Sequence, residues 1–212
     1  MIFMCKIKAV LFDMDGVLID AKEWHFQALN DALSIFGFHI SQDEHLLRFD
    51  GLSTKKKLEI LSNELDLPRN LHGIISDVKQ DKTLRIAALN CYPTTSHVVV
   101  LQRLRKLGIK VGLVTNSIRK TTEFMLTYAG IIQLLDVIVT NEDVSEQKPS
   151  PEGYLQAMSF LKVAPENCVI VEDGEYGIKA AKASGAFVIR VNSPSEVNID
   201  LFDSFVPKIT SI

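Results

Sequence analysis

The stretch KAVLFDMDGV, residues 8–17, decides how this chain folds. Its apolar first half is typical of a buried strand in a parallel sheet, where helices cover both faces. It ends in two carboxylates, Asp13 and Asp15, at the edge where ligands bind in such sheets. Gly16 permits a tight turn that redirects the second carboxylate. Asp13 and Asp15 could instead be an acidic strand end exposed to water. The other motifs of the chain are needed to distinguish this interpretation from a functional carboxylate pair.

The composition predicts a soluble globular protein. The chain has 212 residues, of which 47% are hydrophobic and 23% charged, and its net charge is −3. This length suits a single domain or a domain that carries an inserted subdomain. The charge balance gives no strongly basic surface, so neither nucleic acid nor another polyanion is expected as a partner.

The cysteines and the first residues predict a cytoplasmic location. Cys5, Cys91 and Cys168 are too few and too scattered for a disulfide framework or a zinc site. Lys6 and Lys8 interrupt the first apolar residues, which also lack the cleavage site of a signal peptide. No stretch approaches the length needed to span a bilayer. We expect neither secretion nor membrane insertion, and a monomer or a small homo-oligomer.

The pattern of residues 20–90 predicts helices throughout. Apolar residues recur at helical spacing from Trp24 to Phe36, and Gly37 is typical of a helix end. Trp24 itself is expected in the core because its helical neighbours are apolar. Helix starts are predicted at Asp20 with Glu23, Ser41 with Glu44, Ser53 or Thr54, and Pro68, whose helix runs towards Ala88.

From Tyr92 onwards, strand patterns alternate with helical patterns, which predicts βαβ units and a parallel sheet. Strands are predicted at 109–114, 136–140, 168–171 and 187–191. Helices are predicted at 98–107, 118–129, 151–161 and 174–184, with a short one near 194–202. Since the strand before Asp13 belongs with these, the sequence predicts an α/β domain of residues 1–19 and 91–212. Residues 20–90 are then an inserted helical subdomain.

Polar side chains follow the second predicted strand. Thr115, Asn116 and Ser117 offer hydroxyl and amide groups that bind phosphate oxygens well. Ser117 is equally typical of a helix cap. These residues favour an anion site at the edge of the sheet without establishing one.

Two further stretches add charge near the same edge. Lys148 precedes a proline turn and offers a point positive charge to an anion, although many such lysines are simply solvated. Glu172 and Asp173 end another buried strand. Carboxylate oxygens grouped in this way suit Mg²⁺, which keeps water and substrate phosphate as its other ligands.

With these four stretches in order, the chain resembles the haloacid dehalogenase superfamily of phosphohydrolases. It is most similar to the subfamily that carries an α-helical cap after the first motif and includes β-phosphoglucomutase and phosphoglycolate phosphatase. The matching residues are Asp13-Met14-Asp15-Gly16-Val17, Thr115, Lys148 and Glu172-Asp173, followed by a helix from Gly177 to Gly185. The resemblance covers nearly the whole chain and implies a Rossmann-like parallel-sheet core with an inserted helical cap.

The resemblance also implies catalytic roles. Asp13 would be the nucleophile that forms an aspartyl-phosphate, and Asp15 the general acid and base. Thr115 and Asn116 would bind phosphate oxygens, while Lys148 neutralises charge on Asp13 and the transferring group.

A magnesium site is implied by the same resemblance. Asp13, the main-chain carbonyl of Asp15, and Asp173 would hold Mg²⁺, with Glu172 as a direct ligand or as a support behind the ligands. The ion would shield the nucleophile from the charge of the phosphate.

Residues of the cap would select the substrate. The candidate contacts are His25, Ser53 in the loop 51–54, and Lys79. His25 could equally be a surface helix residue, and the run Lys55-Lys56-Lys57 a solvated helix start, although one of these lysines could face an anionic substrate.

These observations predict a Mg²⁺-dependent phosphatase of a small phosphorylated metabolite, such as a sugar phosphate. A phosphosugar mutase of the β-phosphoglucomutase type is the nearest alternative. A binding or regulatory protein that retains the fold without catalysis is the alternative from another class. The presence of Asp13, Asp15, Lys148 and Asp173 together argues against the latter, because binding alone does not require both a nucleophile and an acid.

Overall fold

A computed structural model describes residues 7–203 of the chain. Within them lies one sheet of five parallel strands in the order β3-β2-β1-β4-β5. The strands are β1 Ala9–Phe12, β2 Lys110–Val114, β3 Val137–Val139, β4 Cys168–Glu172 and β5 Phe187–Arg190. This confirms the prediction of a parallel α/β sheet. The order reverses on either side of β1, and ligands bind at the carboxyl ends of strands next to such a reversal.

Helices account for most of the remaining described chain. Those before the second strand are α1 Lys22–Ser34, α2 Gln42–Glu44, α3 Thr54–Glu64, α4 His72–Asn90 and α5 Thr95–Lys106. Those after it are α6 Arg119–Tyr128, α7 Glu152–Leu161, α8 Glu175–Ala183 and α9 Ile199–Asp203. A π-helical segment, His45–Phe49, follows α2, and a 3₁₀ turn, Arg69–Leu71, precedes α4. None of the described helices combines the length and the apolar character that crossing a membrane requires.

The sheet is covered on both faces because side chains alternate along β1. Val10 and Phe12 pack into one core cluster with residues of α5 and α6, and Ala9 and Leu11 pack into a second with residues of α7 and α8. A third cluster, which includes Leu29, lies wholly within residues 20–90. The inserted helices therefore have apolar packing of their own.

The capping predictions have mixed outcomes. The Ser41 side chain accepts a hydrogen bond from the Glu44 N–H, as predicted, and Ser53 rather than Thr54 caps α3. Asp20 was the wrong cap for α1, whose N-cap is Ala21 and has no side-chain cap hydrogen bond. Pro68 precedes the 3₁₀ turn instead of lying in the first turn of α4.

The predicted cysteine and tryptophan environments can be compared with the described residues. Cys91 and Cys168 are free and buried, whereas Cys5 lies outside the described residues. Burial raises the pKa of the Cys168 thiol to about 12, so this sulfur stays protonated and unreactive. Trp24 is partly buried and packs against the main core.

Candidate active site

Strand register brings the predicted carboxylates together. Phe12, the last residue of β1, lies opposite Leu113 of β2 and Val171 of β4. The N–H of Asp13 donates to the carbonyl of Val171 at 3.0 Å, which places Asp13 beside the end of β4. Glu172 and Asp173 follow there, and the three carboxylates have oxygens within 4.8 Å of one another.

Lys148 is buried among these carboxylates. Its Nζ donates to Asp13 Oδ1 at 2.5 Å, to Glu172 Oε1 at 2.6 Å and to the carbonyl of Val114 at 2.8 Å. Burial disfavours the charged ammonium, but Asp13 and Glu172 outweigh it and raise the pKa of Lys148 to about 12. The loop before α7 therefore delivers a fixed positive charge to the carboxylate of Asp13.

Glu172 is fully engaged by the protein. Its Oε1 accepts from the Tyr154 hydroxyl at 2.5 Å as well as from Lys148, and its Oε2 accepts from the Asp173 N–H at 3.1 Å. A Cβ at Gly177 would overlap this carboxylate, so only glycine fits at the start of α8. Tyr154 had no signal in the sequence beyond an apolar helical position, and its role was missed.

The carboxylate set fits a divalent cation. Four carboxylates at the sheet edge face two ammonium groups, which leaves two negative charges; they are Asp13, Asp15, Glu172 and Asp173 against Lys148 and Lys22. Burial raises the pKa of Asp13 well above its ordinary value, Lys148 opposes this, and the neighbouring carboxylates add to it. A cation beside Asp13 and Asp173 would relieve that repulsion, and hard oxygen ligands are those that Mg²⁺ prefers.

Asp15 faces the inserted helices. Its Oδ2 accepts from Ser117 Oγ at 2.8 Å, and its Oδ1 lies 3.2 Å from Nε2 of His25. Burial raises the pKa of Asp15, but His25 and Ser117 outweigh it and hold the pKa below its ordinary value. The hydroxyl of Ser117 thus serves Asp15 instead of capping α6, whose N-cap is Ile118.

His25 connects Asp15 to a buried lysine. Its Nδ1 lies 3.1 Å from Nζ of Lys79 in α4. Burial and the nearby Lys79 lower the pKa of His25, so the ring is neutral at pH 7. Burial lowers the pKa of Lys79 to about 7; when Lys79 is charged it donates to Nδ1, and Nε2 then carries the proton that faces Asp15. His25 lies in the cavity rather than on an outer helix surface.

Thr115 and Asn116 occupy the neighbouring strand end. Thr115 is buried and its Oγ1 accepts from the N–H of Ser117 at 3.0 Å. The Asn116 side chain donates to the carbonyl of Gly51 at 2.9 Å and accepts from the N–H of Lys148 at 3.1 Å. Asn116 therefore links the loop 51–54 to the sheet edge, which the sequence did not reveal.

Lys22 is a second residue that the sequence analysis missed. Its Nζ lies 2.5 Å from Asp173 Oδ2 and 3.2 Å from Asp50 Oδ2, so one ammonium joins the end of β4 to the inserted helices. Burial lowers the pKa of Lys22, but Asp173 and Asp50 outweigh this and raise it. A single lysine at the start of an amphipathic helix gives no signal of such a role.

All ten predicted site residues line one cavity of about 600 Å³ between the sheet edge and the inserted helices. We call its sheet side the sheet wall; it is formed by Asp13, Asp15, Thr115, Asn116, Lys148, Glu172 and Asp173. We call the opposite side the helical wall; it includes His25, His45, Ser53, Lys57 and Lys79. Of the lysine run, Lys57 is buried in this wall, whereas Lys55 and Lys56 are exposed.

The fold and this site define an α/β enzyme with a fixed lysine beside a carboxylate at a strand-order reversal. Residues 10–191 match the family model of the haloacid dehalogenase-like hydrolases. The chain is 34% identical over 187 residues to the validoxylamine A 7'-phosphate phosphatase of Streptomyces hygroscopicus subsp. limoneus, covering 86% of this chain and 84% of that protein. It is 30% identical over 179 residues to a phosphorylated carbohydrates phosphatase of Thermotoga maritima, covering 84% and 82%.

A solved structure has the same fold. The β-phosphoglucomutase of Clostridium difficile superposes with a TM-score of 0.81 at 21% identity, covering 93% of this chain and 96% of that one. The chain therefore belongs to the haloacid dehalogenase-like hydrolases.

Proposed function

We propose that this hydrolase cleaves the phosphoric monoester of a small phosphorylated metabolite, with a carbohydrate phosphate as the favoured class. The observation that carries the proposal is the carboxylate of Asp13, which faces the cavity while Lys148 holds its Oδ1 at 2.5 Å. The phosphatase names of the two relatives above support the same reaction and a carbohydrate substrate.

Asp13 is the proposed nucleophile. Its carboxylate attacks phosphorus in line with the ester oxygen, which splits one difficult displacement into two easier ones. Lys148, the hydroxyl of Thr115 and the main-chain N–H of Asn116 receive the phosphate oxygens and offset the developing charge, while the N–H of Thr115 is used by the carbonyl of Val139. The Asn116 amide is engaged by Gly51 and Lys148, so its main-chain N–H is the group that we assign to phosphate.

Asp15 is the proposed acid and base. It gives a proton to the leaving oxygen in the first step and takes one from water in the second. Ser117 and His25 favour its ionised form, which is the form that the second step needs. For the first step we propose that Asp15 takes the Nε2 proton of His25, 3.2 Å away, while Nδ1 of His25 takes a proton from the charged Lys79, 3.1 Å away.

Mg²⁺ is the proposed cofactor, held by Asp13, Asp173 and the main-chain carbonyl of Asp15. When bound, it would shield the nucleophile from the negative charge of the phosphate. Glu172 would not bind the ion directly, because Lys148, Tyr154 and the Asp173 N–H already donate hydrogen bonds to its oxygens.

Residues 20–90 are proposed as a cap that closes over the sheet edge and excludes water, with residues 7–19 and 91–203 as the described part of the core. The link between Asn116 and Gly51 and the bridge from Lys22 to Asp50 are contacts that would form on closure. We also propose that the protein works in the cytoplasm as a monomer or small homo-oligomer.

A phosphate-release assay over a panel of phosphometabolites, with and without Mg²⁺, tests the function. We expect release from at least one sugar phosphate, loss of release after chelation, and recovery with Mg²⁺ but not Ca²⁺, which tolerates looser geometry. Full activity in a chelator after exhaustive dialysis would count against the metal, and no release from any ester would refute the phosphatase.

A phosphosugar mutase is the second candidate, favoured by the two lysines buried in the helical wall, which could hold a second phosphate. Thr54, the first residue of the helix that carries Lys57, cannot bind a phosphate through two parallel hydrogen bonds as an arginine would, so we favour hydrolysis. Incubation with β-glucose 1-phosphate, Mg²⁺ and a trace of the 1,6-bisphosphate separates the two. Accumulation of glucose 6-phosphate without matching phosphate release would establish the mutase.

A further inference from the structure

The ammonium of Lys22 lies against a carboxylate that we propose as a metal ligand. Its Nζ is 2.5 Å from Oδ2 of Asp173, and that oxygen is buried without a hydrogen bond from any other group of residues 7–203. The Asp173 side chain is 5% exposed, whereas 33% of the Lys22 side chain is exposed. An oxygen that a divalent cation needs is therefore already in contact with a cation of the protein itself.

The side chain of Lys22 reaches Asp173 by passing over Gly16. A Cβ at Gly16 would overlap both Cε of Lys22 and Oδ2 of Asp173. Gly16 directly follows Asp15, whose main-chain carbonyl is another of the proposed ligands. The ammonium thus lies at the same corner of the sheet edge as the proposed ligands of the ion.

Asp50 offers the same ammonium a partner outside this carboxylate cluster. Its Oδ2 lies 3.2 Å from Nζ of Lys22, and it belongs to the inserted residues instead of the sheet edge. Lysine has a flexible stem, and this one is partly exposed, so the ammonium can move towards Asp50 without losing all of its counter-charge.

Lys148 does not have this freedom. It is 7% exposed, and its Nζ donates to Asp13, to Glu172 and to the carbonyl of Val114. Lys22 has only its two carboxylates and a side chain that reaches solvent. Of the two ammonium groups at the carboxylate cluster, Lys22 is therefore the one that an incoming cation can displace.

We propose that Lys22 competes with the divalent cation for Asp173 and so weakens the binding of Mg²⁺, while Asp50 retains the displaced ammonium. The reason is electrostatic, because two cations that share one carboxylate repel each other across a few ångströms. The opposite effect is also conceivable, since a group that hydrogen-bonds a ligand can orient it for the metal. The two effects of Lys22 on the affinity have opposite signs, so a measurement decides between them. This inference rests on the proposed magnesium site, but it is tested without turnover.

Calorimetric titration of each protein with MgCl₂, without substrate and at a constant low ionic strength, measures the competition. Lys22→Met and Lys22→Gln should bind Mg²⁺ at least about tenfold more tightly than the wild type, because a repelling unit charge is removed. Lys22→Arg keeps the charge and should remain close to the wild type. Raising the salt concentration should reduce the difference, since Lys22 is partly exposed.

Lys56→Met is the matched control for net charge. Lys56 is an exposed lysine of the inserted helices that does not line the cavity, so its loss should change the Mg²⁺ affinity by less than about twofold. The two different neutral replacements of Lys22 guard against a folding defect in one of them.

Substitution of Asp50 tests the second part of the proposal. Asp50→Asn leaves Asp173 as the carboxylate in contact with Lys22 among the described residues, so Mg²⁺ should bind about threefold or more weakly than to the wild type. In the Lys22→Met background the same substitution should change the affinity by less than about twofold. An equal effect of Asp50→Asn in both backgrounds would show that Asp50 does not act through Lys22.

The outcomes separate this inference from the proposed function. Unchanged or weaker Mg²⁺ binding by both neutral Lys22 variants would overturn the competition, and so would an absence of binding in every protein, which would also refute the proposed cofactor. Phosphate release by the wild type is measured separately and tests only the phosphatase. Tighter Mg²⁺ binding by Lys22→Met, with no hydrolysis of any ester by the wild type, would refute the proposed function and leave the competition standing.

Discussion

Lys148 in the sheet wall and Lys57 in the helical wall are equally buried, at 7% exposure each, yet their pKa values move in opposite directions. Carboxylates at 2.5 and 2.6 Å raise the pKa of Lys148 to about 12, although burial acts against it. Burial lowers the pKa of Lys57 to about 8 because no carboxylate contacts it among the described residues. Partners, more than burial, decide what a buried lysine does.

The two walls of the cavity therefore differ in how their charges are paired. The sheet wall carries charges that are already compensated and held in place, as a reaction site requires for preorganised electrostatics. In the helical wall, Lys57 is charged at pH 7 and no carboxylate of the described residues contacts it.

The largest effect is expected from removing the nucleophile of the sheet wall. Asp13→Asn should lower kcat by at least about 10⁴-fold while the fold remains, because the amide keeps the shape but cannot attack phosphorus. Steady-state phosphate release measures this, and circular dichroism checks the fold. Asp43→Asn, at an exposed position in α2, is the control. Near wild-type hydrolysis by folded Asp13→Asn protein would rule out the covalent mechanism.

The second largest effect is expected from substitution of Lys148, whose charge is paired with two carboxylates. Lys148→Met should destabilise the protein by about 3 kcal/mol, because Asp13 and Glu172 are left buried without their cation. Urea unfolding gives the free energy, and the exposed Lys120→Met should change it by less than about 0.5 kcal/mol. A Lys148→Met protein as stable as the wild type would show that the pairing contributes nothing.

Substitution of Lys57 should increase the stability of the protein instead of lowering it, and the size of the increase should depend on pH. The pKa of Lys57 is about 8 in the folded state against 10.5 when unfolded. Between these values the unfolded chain binds the extra proton, so the wild type loses stability as pH falls from about 10.5 to 8. Lys57→Met should therefore be more stable by about 3 kcal/mol at pH 7 and by less than about 1 kcal/mol at pH 10.

Urea unfolding of both proteins at the two pH values measures this difference. Lys56→Met serves again as the exposed control and should show no pH-dependent gain. If Lys57→Met is less stable than the wild type at pH 7, Lys57 has a partner that compensates its charge, and the contrast between the walls fails.

The smallest effect is expected from displacing Glu172, which accepts a hydrogen bond from Lys148. A Cβ at Gly177 would overlap the carboxylate of Glu172, so Gly177→Ala must displace it and with it Lys148. We expect kcat/KM to fall by about tenfold, or about 1.4 kcal/mol. Gly73→Ala in α4 is a helical control with open space around its Cβ, and it should keep full activity. Unchanged kcat/KM in Gly177→Ala would show that the position of Glu172 is unimportant.

Much of the fold was predictable because its signals are local. The apolar run of β1, the turn at Gly16 and the cap at Ser41 each act within a few residues, and the structure has all three. The Asp20 cap prediction failed because a capping motif shows only which hydrogen bonds are possible; α1 begins at Lys22, its N-cap is Ala21, and no side chain caps it. Lys57 could have been found, since it lies four residues before the buried Leu61 on the same helix face.

The sequence by itself determined which chemical groups gather at the sheet edge, because the carboxyl ends of parallel strands share one edge whatever lies between them. Only the tertiary structure decided which lysine is compensated and which is not. Lys148 lies 135 residues from Asp13 along the chain and Lys22 joins Asp50 to Asp173, so their charges depend on distances that no local pattern encodes. Coulomb energies fall with distance and with solvent exposure, and both are properties of the folded chain.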